Sequence, residues 1–245
     1  MQALQRVNPS VKLLVSVVCM MLTLLTREPI VMALLLTIPL LATWLFGGVP
    51  LLRIAKRLAP FLIFFLMYVW MQGAFARIPN AHVLYEFLWY RVSVEGLMVG
   101  LTVALRMLVF VSYGILCATT TDVTLFVLSL MQQLRVPPKL AYGLMAGFRF
   151  VPMFKSEMEQ IRLAHRIRGM DRQPGLRGRW EMMKRFTIPL LAQAIRKAER
   201  VAIAMESKGF DGSRDRTFYR QVKTGPVDAI FAGVVLGLNG ILLFS

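Results

Sequence analysis

Long apolar runs are the feature that most constrains what this chain can fold into. A helix needs about 20 mostly apolar residues to cross a bilayer, within a range of roughly 17–25. Such runs occur five times, the first of them short, at Val11–Thr26, Ile30–Gly48, Leu58–Phe75, Val94–Ala118 and Val227–Phe244. They predict an all-α membrane protein with about five transmembrane helices.

The composition also indicates a membrane protein with a basic polar part. Hydrophobic residues make up 57% of the chain and charged residues only 17%, against about 45–50% and roughly 25% in soluble proteins. This hydrophobicity excludes a disordered chain. The two cysteines, Cys19 and Cys117, are too few for a disulfide scaffold.

The basic residues are concentrated in one block. Positions 120–223 hold 20 of the 29 Lys and Arg residues and 9 of the 13 Asp and Glu residues. Because cytoplasmic loops carry an excess of Lys and Arg, we expect this block and the basic loop at 53–57 on the cytoplasmic side. We therefore predict transmembrane helices 1 to 4 in 1–119, a cytoplasmic or interfacial helical domain in 120–223, and a final transmembrane helix in 224–245. The N-terminus is then cytoplasmic and the C-terminus outside.

Two short apolar helices are predicted at the start of the basic block. Residues 122–134 and Leu140–Phe148 are apolar but too short to cross a bilayer. They suit helices that lie in the membrane interface. Pro137 is expected to end the first helix, and Arg149 with Pro152 to stop the second.

Two longer amphipathic helices follow, and both end in the same way. Residues 154–168 and 180–208 each place apolar side chains on one stripe and charged side chains elsewhere. The first ends at Arg168-Gly169 and the second, which contains Pro189, at Lys208-Gly209. A cation followed by glycine is ordinary helix-ending chemistry. Its repetition on two long helices also favours a shared binding role.

No catalytic or metal-binding motif is visible in the sequence. It contains no G-x-x-x-x-G-K-[ST] phosphate loop, no H-E-x-x-H zinc motif and no G-x-S-x-G nucleophile elbow. The two histidines and two cysteines form no cluster, so neither a metal site nor a cofactor is expected. Positive-inside topology accounts for the basic block, so nucleic-acid binding is not expected either. The chain is predicted not to be an enzyme.

Arg106 is a charge inside the fourth apolar run. A charge in a membrane span costs about 3 kcal/mol on insertion scales and is by default a functional-site hypothesis. The alternative is structural, with the side chain facing the bundle interior and donating to backbone carbonyls. Both interpretations stay open at this point.

Four short motifs lie in order along the chain. Residues 8–13 read N-P-S-V-K-L, and Pro137 precedes the stretch R-F-V-P at 149–152. The helix endings read A-H-R-I-R-G at 164–169 and M-E-S-K-G at 205–209. In this combination the chain resembles the transmembrane T component of energy-coupling factor (ECF) transporters for vitamins or metal ions. It departs from that family at Ile167, where a small residue is usual, and at Lys208, where arginine is usual.

The resemblance implies a coupling subunit in the cell membrane of a prokaryote. In that family two cytoplasmic ABC-type ATPases bind the ends of long coupling helices, and a separate small membrane protein, the S component, binds the substrate. The ATPase-coupling residues would then be Arg166, Arg168, Gly169, Ser207, Lys208 and Gly209. The helix residues facing the S component would be Pro137, Gly143, Gly147, Arg149, Pro152 and Pro189.

Two other functions remain open from the sequence. A conventional ABC importer permease holds substrate in its own pore, but the Glu-Ala-Ala-type stretch expected before 185–189 is missing. A membrane enzyme acting on anionic lipid would use the peripheral helices, although no nucleophile is identifiable. If the resemblance holds, the transported substrate is specified by another chain.

Overall fold

Helices dominate the part of the protein that this computed structural model describes, namely residues 3–75, 83–87, 90–168, 175–213 and 217–244. Their bounds are α1 Ala3–Arg6, α2 Pro9–Leu22, α3 Pro29–Leu41, α4 Leu51–Phe75, α5 Val94–Thr120, α6 Val123–Gln133, α7 Pro138–Ile167, α8 Leu176–Glu206 and α9 Pro226–Phe244. The predicted all-α membrane fold is confirmed.

Four of the described helices are long and apolar enough to cross a membrane. They are α4, α5, α9 and α3 together with the π-helical turn Ala42–Phe46 that extends it. The first predicted span is the 14-residue helix α2, which at about 1.5 Å per residue is shorter than the hydrocarbon core of a bilayer. Helix α6, with 11 residues, is too short to span, as predicted.

A short β-hairpin lies between α4 and α5 and was not predicted. Strand β1, Val83–Phe87, pairs antiparallel with β2, Tyr90–Ser93. Both strands are rich in aromatic and branched residues, which favour extended backbone. Ser93 then caps α5, because its Oγ accepts the backbone N–H of Gly96 at 3.1 Å.

The chain divides into two compact units, Met1–Ser129 with Val222–Ser245 and Leu130–Gln221. The core of the first unit forms where α2, α3, α5 and α9 meet. Its buried side chains are Val15, Cys19, Met32, Leu35, Val109, Tyr113 and Val235. Within this core the amide of Asn239 on α9 donates to the hydroxyl of Tyr113 on α5 at 3.0 Å. Such polar contacts hold helices together in an apolar surrounding.

A buried polar cluster fixes the start of α2 in the first unit. Lys12 is 1% exposed and its ammonium donates to the carbonyl of Thr120, at the C-terminus of α5, at 3.0 Å. A cation at a helix C-terminus is favourable because the carbonyls there are partly negative. The Asp228 carboxylate accepts the backbone N–H of Asn8 at 2.7 Å. The opening N-P-S-V-K-L motif thus ties α2 to α5 and α9.

Helix α7 in the second unit corrects one prediction. It runs without a break from Pro138 to Ile167, so the prediction that Arg149 and Pro152 stop a helix is wrong. A proline inside a helix removes one hydrogen bond and costs about 3 kcal/mol or more, and the remaining bonds of this 30-residue helix offset that cost. Helix α8 likewise continues through Pro189, as predicted.

Helices α7 and α8 lie antiparallel. Among the side-chain pairs that join α7 to α8 and to the turn after it are Tyr142 with Phe210, Glu157 with Lys197 and His165 with Phe186. The two aromatic pairs have ring centroids 5.5 and 5.3 Å apart. Later positions on α7 meet earlier positions on α8, so the two helices run in opposite directions.

Candidate functional site

The basic end of α8 is shaped by a glycine turn. Gly209 has a φ of 83°, which glycine adopts freely and other residues rarely do. The backbone N–H of Phe210 donates to the carbonyl of Met205 at 3.0 Å, as in a Schellman helix end. Lys208 immediately precedes the turn and is exposed. The turn therefore ends the helix and leaves the lysine at its tip.

Arg168 occupies the corresponding place on α7. Its backbone N–H donates to the carbonyl of Ala164 at 3.2 Å, and its side chain and that of Arg166 are exposed. Ile167 beside it is 86% exposed. The tip thus combines a cation with an apolar side chain that contacts little of its own chain. Gly169, the next predicted residue, lies outside the described residues.

The cations at the two tips are exposed. Within the part of the chain that the structure describes, neither Arg168 nor Lys208 forms an ion pair. The hydroxyl of Ser207 donates to the carbonyl of Ala204 at 3.1 Å and so serves its own helix. Exposed cations can form charge-assisted hydrogen bonds with carboxylates of a partner.

Two glycine pairs with almost the same sequence have opposite surroundings. On α5 the segment G-L-M-V-G at 96–100 lies against α4, where a Cβ on Gly100 would be 3.2 Å from the backbone of Val69. On α7 the segment is G-L-M-A-G at 143–147, and no described atom lies within 4 Å of a Cβ on Gly143 or Gly147. Small residues four apart let helices approach closely. Helix α4 of the same chain occupies the space beside the glycines of α5, whereas the space beside the glycines of α7 is open.

The open glycines lie on an apolar face of α7. Its large side chains follow at helical spacing and are 51–63% exposed, namely Leu140, Leu144, Phe148 and Val151. We call this surface, with Gly143 and Gly147, the open face of α7. A continuous exposed apolar surface is typical of a helix that contacts lipid or another protein.

The other residues predicted to face the S component lie along α7 and α8. Pro137 is the N-cap of α7, Arg149 and Pro152 lie within α7, and Pro189 lies within α8. All four are exposed. The predicted interface residues are therefore gathered on one antiparallel helix pair.

Arg106 holds a loop of the first unit by its backbone. Its Nη2 donates to the carbonyl of Thr26 at 2.8 Å, and the hydroxyl of Thr102, one turn earlier, donates to the carbonyl of Arg27 at 3.1 Å. Both contacts tie the loop between α2 and α3 to α5. The contact of Arg106 agrees with the structural interpretation of this charge, in which the side chain donates to backbone carbonyls.

Sequence reasoning missed the ion pair between Glu157 and Lys197. Glu157 is 8% exposed, so its carboxylate is almost fully removed from solvent. No local pattern in the sequence marks this pair, because the contact depends on how two helices 40 residues apart along the chain pack together.

Known proteins similar to this chain point to one family. The family described as Cobalt transport protein, CbiQ, matches residues 1–219. This chain belongs to the CbiQ family. An energy-coupling factor transporter transmembrane protein EcfT of Exiguobacterium sibiricum is 33% identical over 77% of this chain and 75% of its own length. The EcfT proteins of Bacillus selenitireducens and Lactococcus lactis are 29% and 28% identical, over 94% and 98% of this chain and 88% and 92% of their own lengths.

The family membership agrees with the fold. This CbiQ-family protein is a multi-pass membrane protein and a transmembrane component of an ECF transporter. The resemblance to the T component is thereby confirmed, and the protein functions in transport as part of a complex.

Proposed function

We propose that this protein is the coupling subunit of an ECF uptake transporter. It transmits the ATP-driven motion of two ABC-type ATPases to a separate, substrate-binding S component. The observation that supports this most strongly is the pair of exposed helix tips carrying Arg168 and Lys208, each without an ion-pair partner among the described residues. Two similar tips at opposite ends of an antiparallel helix pair suit two similar partner subunits.

On the ATPase side, each tip enters an acidic groove. One ATPase binds Arg166, Arg168 and Gly169, and the other binds Ser207, Lys208 and Gly209. The guanidinium of Arg168 can bind a carboxylate through two parallel hydrogen bonds, whereas the ammonium of Lys208 acts as a point charge. Motion of either ATPase then moves a stiff helix rather than a loop.

On the membrane side, the open face of α7 receives the S component. The segment 143–147 takes a helix of that partner as 96–100 takes α4 within this chain. The same helix pair carries the other predicted interface residues, Pro137, Arg149, Pro152 and Pro189. They adjust the curvature of the pair and the edge of its contact surface. The substrate, a vitamin or a metal ion, is selected by the S component, and the T subunit itself binds no cofactor.

Purification of the complex tests this function. A tagged chain taken from native membranes is expected to bring down two ATPase subunits and one small integral membrane protein. The chain alone is expected not to hydrolyse ATP, because it has no phosphate-binding loop. ATPases without a small membrane partner would instead favour a conventional permease, and turnover of anionic lipid by the pure chain would favour a membrane enzyme.

We further propose that the chain lies in the prokaryotic cell membrane with its N-terminus inside, residues 120–223 on the cytoplasmic side and its C-terminus outside. Charge placement predicts that cysteines introduced at Arg177 and Arg214 react with an impermeant thiol reagent only from the cytoplasm. A cysteine at Asn80 should react only from outside. Labelling in right-side-out and inverted vesicles measures this, with the parent chain as control. Reaction of Asn80 and Arg177 from the same side would refute this topology.

A further inference from the structure

The ion pair between Glu157 and Lys197 lies at the same distance from both helix tips. Arg168 follows Glu157 by eleven residues, and Lys208 follows Lys197 by eleven residues. Neither of the two arms, 157–168 and 197–208, contains a proline or a glycine, so nothing in their sequence bends them. At about 1.5 Å per residue each arm is roughly 16 Å long.

Because the helices pack antiparallel, the lengths of the two arms together set the distance between the tips. Because α7 and α8 run in opposite directions, the arms extend to opposite sides of the ion pair. The two tips are then about 33 Å apart along the helix pair. Sliding one helix past the other by a single turn would change this separation by about 5 Å.

The ion pair is the contact best suited to prevent such sliding. Two aromatic pairs, Tyr142 with Phe210 and His165 with Phe186, also join these elements, but an edge-to-face pair contributes only about 0.5–1.5 kcal/mol beyond the area that it buries. The Glu157 carboxylate is buried, and Lys197 is the charged group that faces it. A slide would leave this carboxylate buried without a counter-charge, which is costly. Buried polar groups are known to specify helix register in this way.

We propose that Glu157 and Lys197 form a register pin that sets the separation of the tips Arg168 and Lys208. With the pin in place, both tips match two ATPase subunits at the same time. The pair is a positioning element and contacts neither ATP nor substrate. The register itself is independent of any partner, whereas its purpose rests on the proposed function.

Distance measurement on the full chain in lipid nanodiscs tests the pin without any ATPase. Spin labels are attached to cysteines that replace the exposed residues Ile167 and Ser207, in a background without the native cysteines. The chain with the pair intact is expected to show one narrow distance distribution. Glu157→Gln or Lys197→Met should broaden it or shift it by about 5 Å, one helical turn. The charge-exchanged double variant, Glu157→Lys with Lys197→Glu, should restore the narrow distribution.

Uptake per ATP hydrolysed in the assembled transporter tests the purpose of the pin. The single variants should lose coupling, and the charge-exchanged variant and Lys197→Arg should retain it. A matched control is Glu181→Gln, which removes the exposed pair of Glu181 with Arg185 on α8 and should change neither the distances nor the coupling.

An unchanged distance distribution in both single variants would overturn the register pin. Full coupling despite a changed distance would overturn its positioning role. Failure of the unsubstituted chain to assemble with ATPases would count against the proposed function alone, because the distance measurement does not use them.

Discussion

Replacing both Arg168 and Lys208 by alanine is expected to abolish coupled uptake while the membrane unit still folds. If each side chain is a desolvated charge in an ATPase groove, its truncation costs about 2–5 kcal/mol of binding, or roughly 30-fold or more in affinity at each tip. If the cations only complement the helix dipole, each is worth about 0.3–1 kcal/mol and uptake stays close to normal. Uptake and capture of the ATPases, in membranes holding equal amounts of each variant, distinguish the two cases.

The same helices supply a matched control for this experiment. Arg162 and Arg200 are exposed arginines on α7 and α8 away from the tips, and replacing both by alanine should leave uptake nearly unchanged. Lys208→Arg should be tolerated, since it keeps the charge and adds a planar donor group. Arg168→Glu should be worse than alanine, because it places like charges opposite each other. Normal uptake by the double alanine variant would show that both residues only end their helices and have no role in coupling.

Replacing Gly147 by leucine is expected to stabilise α7 and yet to block its partner. Glycine inside a helix costs about 0.8–1 kcal/mol relative to good helix formers, and no described atom lies within 4 Å of a Cβ at this position. A partner helix seated as closely as α4 on Gly100 would collide with the new side chain, at a cost of about 1–3 kcal/mol. The temperature of thermal unfolding should therefore rise, while the amount of S component captured should fall.

Two other glycines on α5 serve as controls. Gly114 is equally open, with no described atom within 4 Å of its Cβ position, so Gly114→Leu should not affect capture of the S component. Gly100→Leu should instead destabilise the protein, because the backbone of Val69 occupies the space. Normal capture of the S component by the double variant Gly143→Leu with Gly147→Leu would show that the open face of α7 contacts only lipid.

The membrane fold was predictable because the bilayer permits few solutions. A spanning segment must satisfy its own backbone hydrogen bonds, so an apolar run of sufficient length becomes a helix. This reasoning located the long helices and identified 122–134 as too short to span. It failed at Pro152, where a local rule about one residue is outweighed by the cooperativity of a 30-residue helix.

The candidate site was predictable only in part, for a related reason. Arg168 and Lys208 stand out in the sequence because a helix ending is a local pattern. Glu157 and Lys197 do not, since their contact depends on how two distant helices pack. Likewise the segments at 96–100 and 143–147 read almost alike, and no local rule says which of them the chain itself will cover.

By itself, the sequence determined where the long apolar segments and the basic tips lie and that the chain belongs in a membrane, because hydropathy, charge and capping act over a few neighbouring residues. Only the tertiary structure decided that α7 and α8 are antiparallel, that Glu157 meets Lys197, and that one glycine face is filled while its near-copy is open. Those outcomes depend on which helix surfaces fit together across long stretches of chain, and that fit is a property of the packed molecule.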